Sequence, residues 1–298
     1  MHRAYHAYPP LTAKSGEVVG AAYGVMSMLY SALVEVAPSH VVVAWDLPKP
    51  TFRHEKYVGY KAQRPKADQE MVAQIPLIKE LITLAEITQV EEEGYEADDI
   101  IGTLSRVEIE GEVVILTGDQ DTMQLVDKHV TVLTPPKGKL PAKSYGIDEV
   151  REKYGVWPQQ IVDYKALIGD TSDNIPGVAG IGPKTAASLL KMFETLERIY
   201  RDIKEVQLHF GELVAKKLAD GKESAILSKE LSAIVTDMPL AIKLEETRYQ
   251  DIKKEKLKEK LEEAIVLCML VVISTGAVSP RGITTGSPFC GHGRQLVK

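Results

Sequence analysis

Eight carboxylates in this chain fall at positions where they could do chemistry together. Asp46 ends the apolar stretch HVVVAWD (40–46), and Asp119 and Asp121 follow EVVILT as GDQD. GYEADDI (94–100) puts Glu96, Asp98 and Asp99 within four positions, and GDTSDN (169–174) offers Asp170 and Asp173. Taken singly, each reads equally well as a helix N-cap or turn residue. Together in one cleft they would repel one another unless cations neutralised them. Oxygen-only ligands favour Mg²⁺ or Mn²⁺, and the histidines show no zinc-like spacing. A pair of such ions suits phosphoryl displacement: one lowers the pKa of an attacking water and the other steadies the leaving oxygen.

The elements that must position these acids can be read from apolar periodicity. Short apolar runs over 40–46, 112–119 and 129–135 predict strands, with EITQVE (86–91) a weaker fourth. Helical patterns lie between them, over 20–36, over 68–85 with a break expected at Pro76, and over 98–110. Such alternation indicates a wound α/β sheet, whose ligands bind outside the carboxyl ends of the strands. Asp46, Asp119 and Asp121 stand at two such ends. Glu96 and Asp99, three apart on an opening helical turn, share a face. After about residue 147 the pattern turns to helices and glycine turns, in stretches that include GPKTAASLLKMFETLERIYRDI (182–203). A charged helix is expected over 253–264, and the Gly/Ser/Thr/Pro-rich tail beyond it is expected to be disordered.

Two further stretches could meet phosphates. TFRHEKYVGYKAQRPK (51–66) interleaves Arg53, Lys56, Lys61 and Arg64 with Phe52, Tyr57 and Tyr60, as a single-strand binder does. A solvated helix whose tyrosines cover the core is the plainer alternative; the stripe's start seven residues after Asp46 favours binding. In NIPGVAGIGPKTAASLL (174–190), Gly177, Gly180 and Gly182 permit a tight turn. Pro183 suits the first position of the following helix, whose free N–H groups, with Lys184 and Thr185, could seat a phosphate.

The net charge of −6 excludes little, because six Lys or Arg and one acid, Glu55, lie between Lys49 and Lys66. Two cysteines, Cys268 and Cys290, cannot frame the body with disulfides, which fits a reducing, cytoplasmic setting. No signal peptide is read in MHRAYHAYPP, and the most apolar run, 264–274, is short for a membrane span.

WDLPKPTFRHEKYVGYKAQRP, GYEADDIIGTL, VVILTGDQDTMQLV and GDTSDNIPGVAGIGPKTAASLL, in this order, resemble the 5′ nuclease (flap endonuclease) family, over residues 2 to about 261. The closest likeness is to the N-terminal 5′→3′ exonuclease domain of bacterial DNA polymerase I and its stand-alone relatives. The resemblance implies an α/β fold with a PIN-like or resolvase-like mixed sheet flanked by helices, crossed by a helical arch and followed by a helix–three-turn–helix unit. Expected boundaries are 1–150 for the nuclease core, with the arch at about 47–70, then 151–262 for the helical unit and 263–298 for a divergent tail. It implies two Mg²⁺ (or Mn²⁺) ions: Asp46, Glu96 and Asp98 serve the first, while Asp99, Asp119, Asp121, Asp170 and Asp173 serve the second or its surroundings. Arg53, Lys61 and Arg64 become arch residues that clamp the 5′ end and the scissile phosphate. The glycine turn grips duplex DNA with a bound K⁺.

The expected partner is DNA with 5′ flaps, nicks or free 5′ ends, acted on by a monomer with no membrane. Family members begin with an apolar strand ending in Asp-Gly, before the segment that matches this chain's start. The expectation is therefore a weakened sheet and metal site, and the alternative is a structure-specific DNA-binding protein with impaired or no catalysis. A ribonuclease with a similar acidic core is a third reading, which leaves the glycine turn without a purpose.

Overall fold

β-branched runs bounded by turns build the strands, and amphipathic segments between them build the helices. The computed structural model describes residues 2–7, 11–13, 16–107, 111–136 and 140–249. The helix expected over 253–264, the tail from 263 and both cysteines lie outside the described residues.

The chain opens with α1 (His2–Ala7) and the long α2 (Gly20–Val36), then β1 (Val42–Ala44), whose end delivers Asp46. The arch segment holds only a five-residue helix, α3 (Phe52–Lys56), followed by turns to about Arg64, rather than a continuous helix. Two capped helices follow, α4 (Gln69–Val72) and α5 (Ile75–Leu84), with Pro76 in the first turn of the latter. The break falls here because proline has no N–H to give an interior turn but suits a helix start. Then come β2 (Thr88–Val90), α6 (Ala97–Leu104) and β3 (Val113–Leu116), which ends just before the GDQD loop, and then β4 (Val130–Thr134). An additional strand, β5 (Lys143–Tyr145), was not expected: KSY carries no apolar alternation.

The mixed sheet is divided. β1 pairs with β2 in parallel; β3 pairs with β4 in parallel, and β5 joins β4 antiparallel. Among the described residues, β1 and β3 each keep one edge without a strand partner. Asp46 and the GDQD loop nonetheless leave from the same ends of their strands.

The helical part runs α7 (Ile147–Tyr154), α8 (Ile161–Ile168), α9 (Pro183–Phe193), α10 (Leu196–Arg201), α11 (Ile203–Phe210), α12 (Glu212–Asp220) and α13 (Lys222–Ser232). The helical stretch over 182–203 is divided into α9 and α10. Glu194 takes a left-handed φ of 67° and Thr195 caps the new start by accepting from the Arg198 N–H. One core joins β3, β4, α8, α9 and their neighbours, including Ile115, Val132, Leu167 and Leu190. A second, between α2 and α5, includes Ile78 and Leu81. α13, the last α-helix among the described residues, packs along α8 and so fixes the segment that leads into Asp170.

Candidate metal centre and nucleic-acid interface

α6 begins at the acidic motif, and its first turn sorts the three acids. Successive helical residues point about 100° apart, so neighbours cannot share a direction. Glu96 is the N-cap and Asp99 reaches back to accept from the Glu96 N–H at 3.0 Å, closing a capping box. Asp98 takes no part in that capping box. Its carboxyl is pushed well above the usual carboxylate range, by burial first and then by the charges of Asp119, Asp121, Asp46 and Glu96. Asp46 accepts from the Ala97 N–H at 2.8 Å, tying the end of β1 to the same helix start.

Asp99 is fully buried and saturated. Arg53 donates to both its oxygens at 2.7 and 2.8 Å, and the Val235 and Glu96 N–H groups supply two more hydrogen bonds. Each oxygen has two donors, which leaves no lone pair directed at a cleft. Burial would raise its pKa, but the Arg53 hydrogen bonds and charge outweigh it and hold the group below its usual value. Arg53, itself 2% exposed, also donates to the carbonyls of Leu231 and Ala233 at 3.0 and 2.6 Å. The sequence suggested a clamp and a ligand. The structure puts Arg53 and Asp99 in one buried ion pair joining α3, α6 and the end of α13.

The remaining arch cations lie on acids. Lys61 Nζ donates to Glu96 at 2.6 Å, and the Tyr60 hydroxyl donates to Glu96 at 3.1 Å and Asp173 at 3.3 Å. Arg64 pairs with Asp173. The Lys61 N–H and the Asn174 side chain add hydrogen bonds to the Asp173 and Gly59 carbonyls, so the arch is pinned to the GDTSDN loop. Tyr60 is 4% exposed and offers no ring for stacking, while Tyr57, half-buried, packs against the same small cluster. Phe52 lies against Arg53 and Tyr95, and Lys56 pairs with Glu230.

Lys165 escaped the sequence reading. It stands on α8, five residues before Asp170, and its amine bridges Asp121 and Asp170, the latter at 2.7 Å. A lysine in the last turn of an apolar helix leading into an acidic loop was the available signal. Asp121 is raised to about 6, by burial before anything else, with Lys165 opposing and Asp119 adding to the rise. For Asp170, burial is outweighed by the Lys165 and Ser172 hydrogen bonds, and it is lowered to about 2. Asp119 is exposed and caps the following turn by accepting from the Asp121 N–H.

The donor set is all oxygen, and Asp98 is raised by four neighbouring carboxylates, which suits hard divalent cations. Among the described residues, no three acidic or histidine side chains are drawn together closely enough to hold an ion as they stand. Lys61, Arg64 and Lys165 supply the counter-charge instead.

The glycine hairpin is built from α8 and α13 outward. Gly177 has φ 61°, and a Cβ there would overlap the Gly169 backbone nitrogen. Its N–H donates to Ser228 Oγ at 2.9 Å and its carbonyl accepts from Ser224 Oγ at 2.6 Å. Gly180, φ 77°, turns its carbonyl to Lys217 Nζ at 3.1 Å. Gly182 is exposed at the N-cap of α9, with Lys184 and Thr185 in its first turn.

Acids at the carboxyl ends of parallel strands, an arch pinned across them and a helical unit with a glycine hairpin define a resolvase-like α/β domain joined to a SAM-fold domain. The chain belongs to the 5′-3′ exonuclease family: residues 1–155 match its N-terminal resolvase-like domain and residues 156–255 its C-terminal SAM fold. The chain is 38% identical to the 5′-3′ exonuclease of Aquifex aeolicus, over 88% of each protein. It is 45% identical to DNA polymerase I of Bacillus caldotenax over 88% of this chain, which spans 30% of that polymerase's length. The fold is shared with T5 5′-exonuclease, in a structure with bound divalent zinc ions, at a TM-score of 0.61 and 23% identity. That match covers 81% of this chain and 90% of the T5 protein.

Proposed function

We propose that this chain is a metal-dependent 5′→3′ exonuclease and structure-specific flap endonuclease that hydrolyses DNA phosphodiester bonds. The observation that carries this reading is Asp98, which has a raised pKa and the charges of Asp46, Glu96, Asp119 and Asp121 around it. Asp46, Glu96 and Asp98 would hold one divalent cation, and Asp119, Asp121, Asp170 and Asp173 a second, Mg²⁺ or Mn²⁺. Bound there, such ions lower the pKa of a water and offset charge on the leaving oxygen.

The chain's own groups do the rest. Lys61 and Arg64 sit on Glu96 and Asp173, so a substrate phosphate arriving with cations would exchange partners with them and be oriented by the freed ammonium and guanidinium. Lys165 holds Asp121 and Asp170 on one side of the cleft. Arg53 and Asp99 keep the arch and α6 in register. Gly182, Lys184 and Thr185 would meet the duplex backbone. A K⁺ at the hairpin would be held by carbonyls, and would share the Gly180 carbonyl with Lys217. We take the working form to be a monomer acting on flaps, nicks and free 5′ ends.

A second reading, structure-specific DNA binding without turnover, is favoured by the absence among the described residues of three acids converged on one point. Matched flap, nicked and single-stranded DNA and RNA, incubated with Mg²⁺ or Mn²⁺, separate the readings. Flap cleavage supports the nuclease, binding without cutting supports the alternative, and a preference for single-stranded RNA overturns both.

A further inference from the structure

β5 and the last turn of α7 present a cluster of lysines and tyrosines next to the acidic loop. Lys143 Nζ lies 4.8 Å from the centre of the Tyr145 ring, and Lys153 Nζ lies 4.9 Å from the same ring. Lys153 also sits 4.9 Å from the Tyr154 ring. Tyr154 donates its hydroxyl to Gln120 at 2.7 Å, and Gln120 is the residue between Asp119 and Asp121. The cluster is thus one hydrogen bond from the acidic loop.

Two ammonium groups on one ring repel each other, yet neither has a carboxylate partner among the described residues. Glu149 is close enough to feel the Lys143 charge, but it forms no ion pair with it and places one carboxylate oxygen on the Gly146 N–H at 2.9 Å. Burial, then Lys143, pushes the Lys153 ammonium below its usual pKa. An arrangement that crowds two ammonium groups on shared rings, without a direct ion pair and one hydrogen bond from the acidic loop, is suited to an external anion. The lysines cover the Tyr145 ring, which leaves it poorly placed for base stacking. Its chemistry is that of phosphate contact.

We propose that Lys143 and Lys153, held by Tyr145 and Tyr154, form a second DNA-backbone contact that carries the substrate strand past the GDQD loop. This rests on the nuclease reading. The contact is sequence-independent and engages two phosphates, one per ammonium. Tyr154 ties the contact to the acidic loop through Gln120, so the strand is held beside that loop.

The test is equilibrium binding of a 5′-flap DNA in EDTA over 50–200 mM KCl, with cleavage kinetics in Mg²⁺ alongside. Neutralising two phosphates contributes about 1.8 to the slope of log Kd against log salt, so Lys143→Ala/Lys153→Ala should flatten that slope by about 1.8. Its KM should rise while kcat at saturating DNA stays at the wild-type level. Lys143→Arg/Lys153→Arg should keep the wild-type slope. An unchanged slope in the alanine variant, with wild-type protein that cuts, overturns this contact alone. Wild-type protein that neither binds nor cuts the flap overturns the nuclease reading and this inference together.

Discussion

Replacing Arg53 separates two roles that the sequence could not. An arch clamp would be dispensable for folding, whereas a buried tie would not. The guanidinium makes two hydrogen bonds to Asp99 and one each to the Leu231 and Ala233 carbonyls. Arg53→Ala leaves a fully buried carboxylate facing a cavity, and losing one partner of a buried ion pair costs about 3–5 kcal/mol. At about 2–4 °C per kcal/mol for a protein of this size class, the melting temperature should fall by roughly 6–20 °C. Arg53→Met/Asp99→Asn should be more stable than Arg53→Met alone, because no buried charge is stranded. The pH dependence has a definite sign. Despite burial, Arg53 holds the Asp99 pKa down in the fold, so the pair's stabilisation is present above the unfolded carboxylate pKa of about 3.9. It is lost as pH falls through the lower folded value. The melting difference between wild type and Arg53→Met, followed by circular dichroism, should therefore shrink in strong acid. A melting temperature within about 2 °C of wild type, with turnover lost, would refute the buried-tie assignment and restore the clamp.

Other consequences follow from the same geometry. Lys61→Ala or Arg64→Ala should slow flap cleavage by about ten- to a hundredfold through misplacement of the 5′ strand, measured as single-turnover rates; unchanged rates would remove the arch from the account. Asp121, raised to about 6, and Asp98, also raised by burial and neighbouring carboxylates, carry protons in acid that a cation must displace. Mn²⁺ affinity by titration calorimetry should thus drop by about tenfold or more per pH unit below about 6; a flat profile would contradict the carboxylate cluster. Gly177→Ala forces a Cβ into the Gly169 backbone at positive φ. It should destabilise the protein by about 1–3 kcal/mol and weaken duplex binding more than single-strand binding. Equal losses on both would separate the hairpin from duplex recognition.

Much of this was legible in the sequence, for identifiable reasons. β-branched runs ending in acids announced β1 and β3, and the carboxyl-end rule placed Asp46, Asp119 and Asp121 near one another. Pro76 marked the boundary between α4 and α5. What could not be read was pairing at long range. Glu96 and Asp99 share a helix face, but only tertiary structure brings Arg53 onto that face from 46 residues away. Tyr60 belongs to a basic, aromatic stripe, yet Ile175 and Leu231 bury it from distant parts of the chain. Lys165 has no local acid before Asp170, so its hold on Asp121 was invisible. β5 escaped because an edge strand of polar residues has no apolar alternation.

The measurement that bears most directly on the central claim is cleavage of a 5′-flap DNA by wild type and Asp119→Ala in Mg²⁺, Mn²⁺ or EDTA, with binding followed in parallel. Metal-dependent release of short 5′ products by the wild type is expected. EDTA should abolish it, and Asp119→Ala should lower it by more than the hundredfold typical of outer-shell partners while most DNA affinity remains. Turnover that persists in EDTA, or in Asp119→Ala at the wild-type rate, would contradict the assignment of the acidic cleft as a metal-dependent nuclease site.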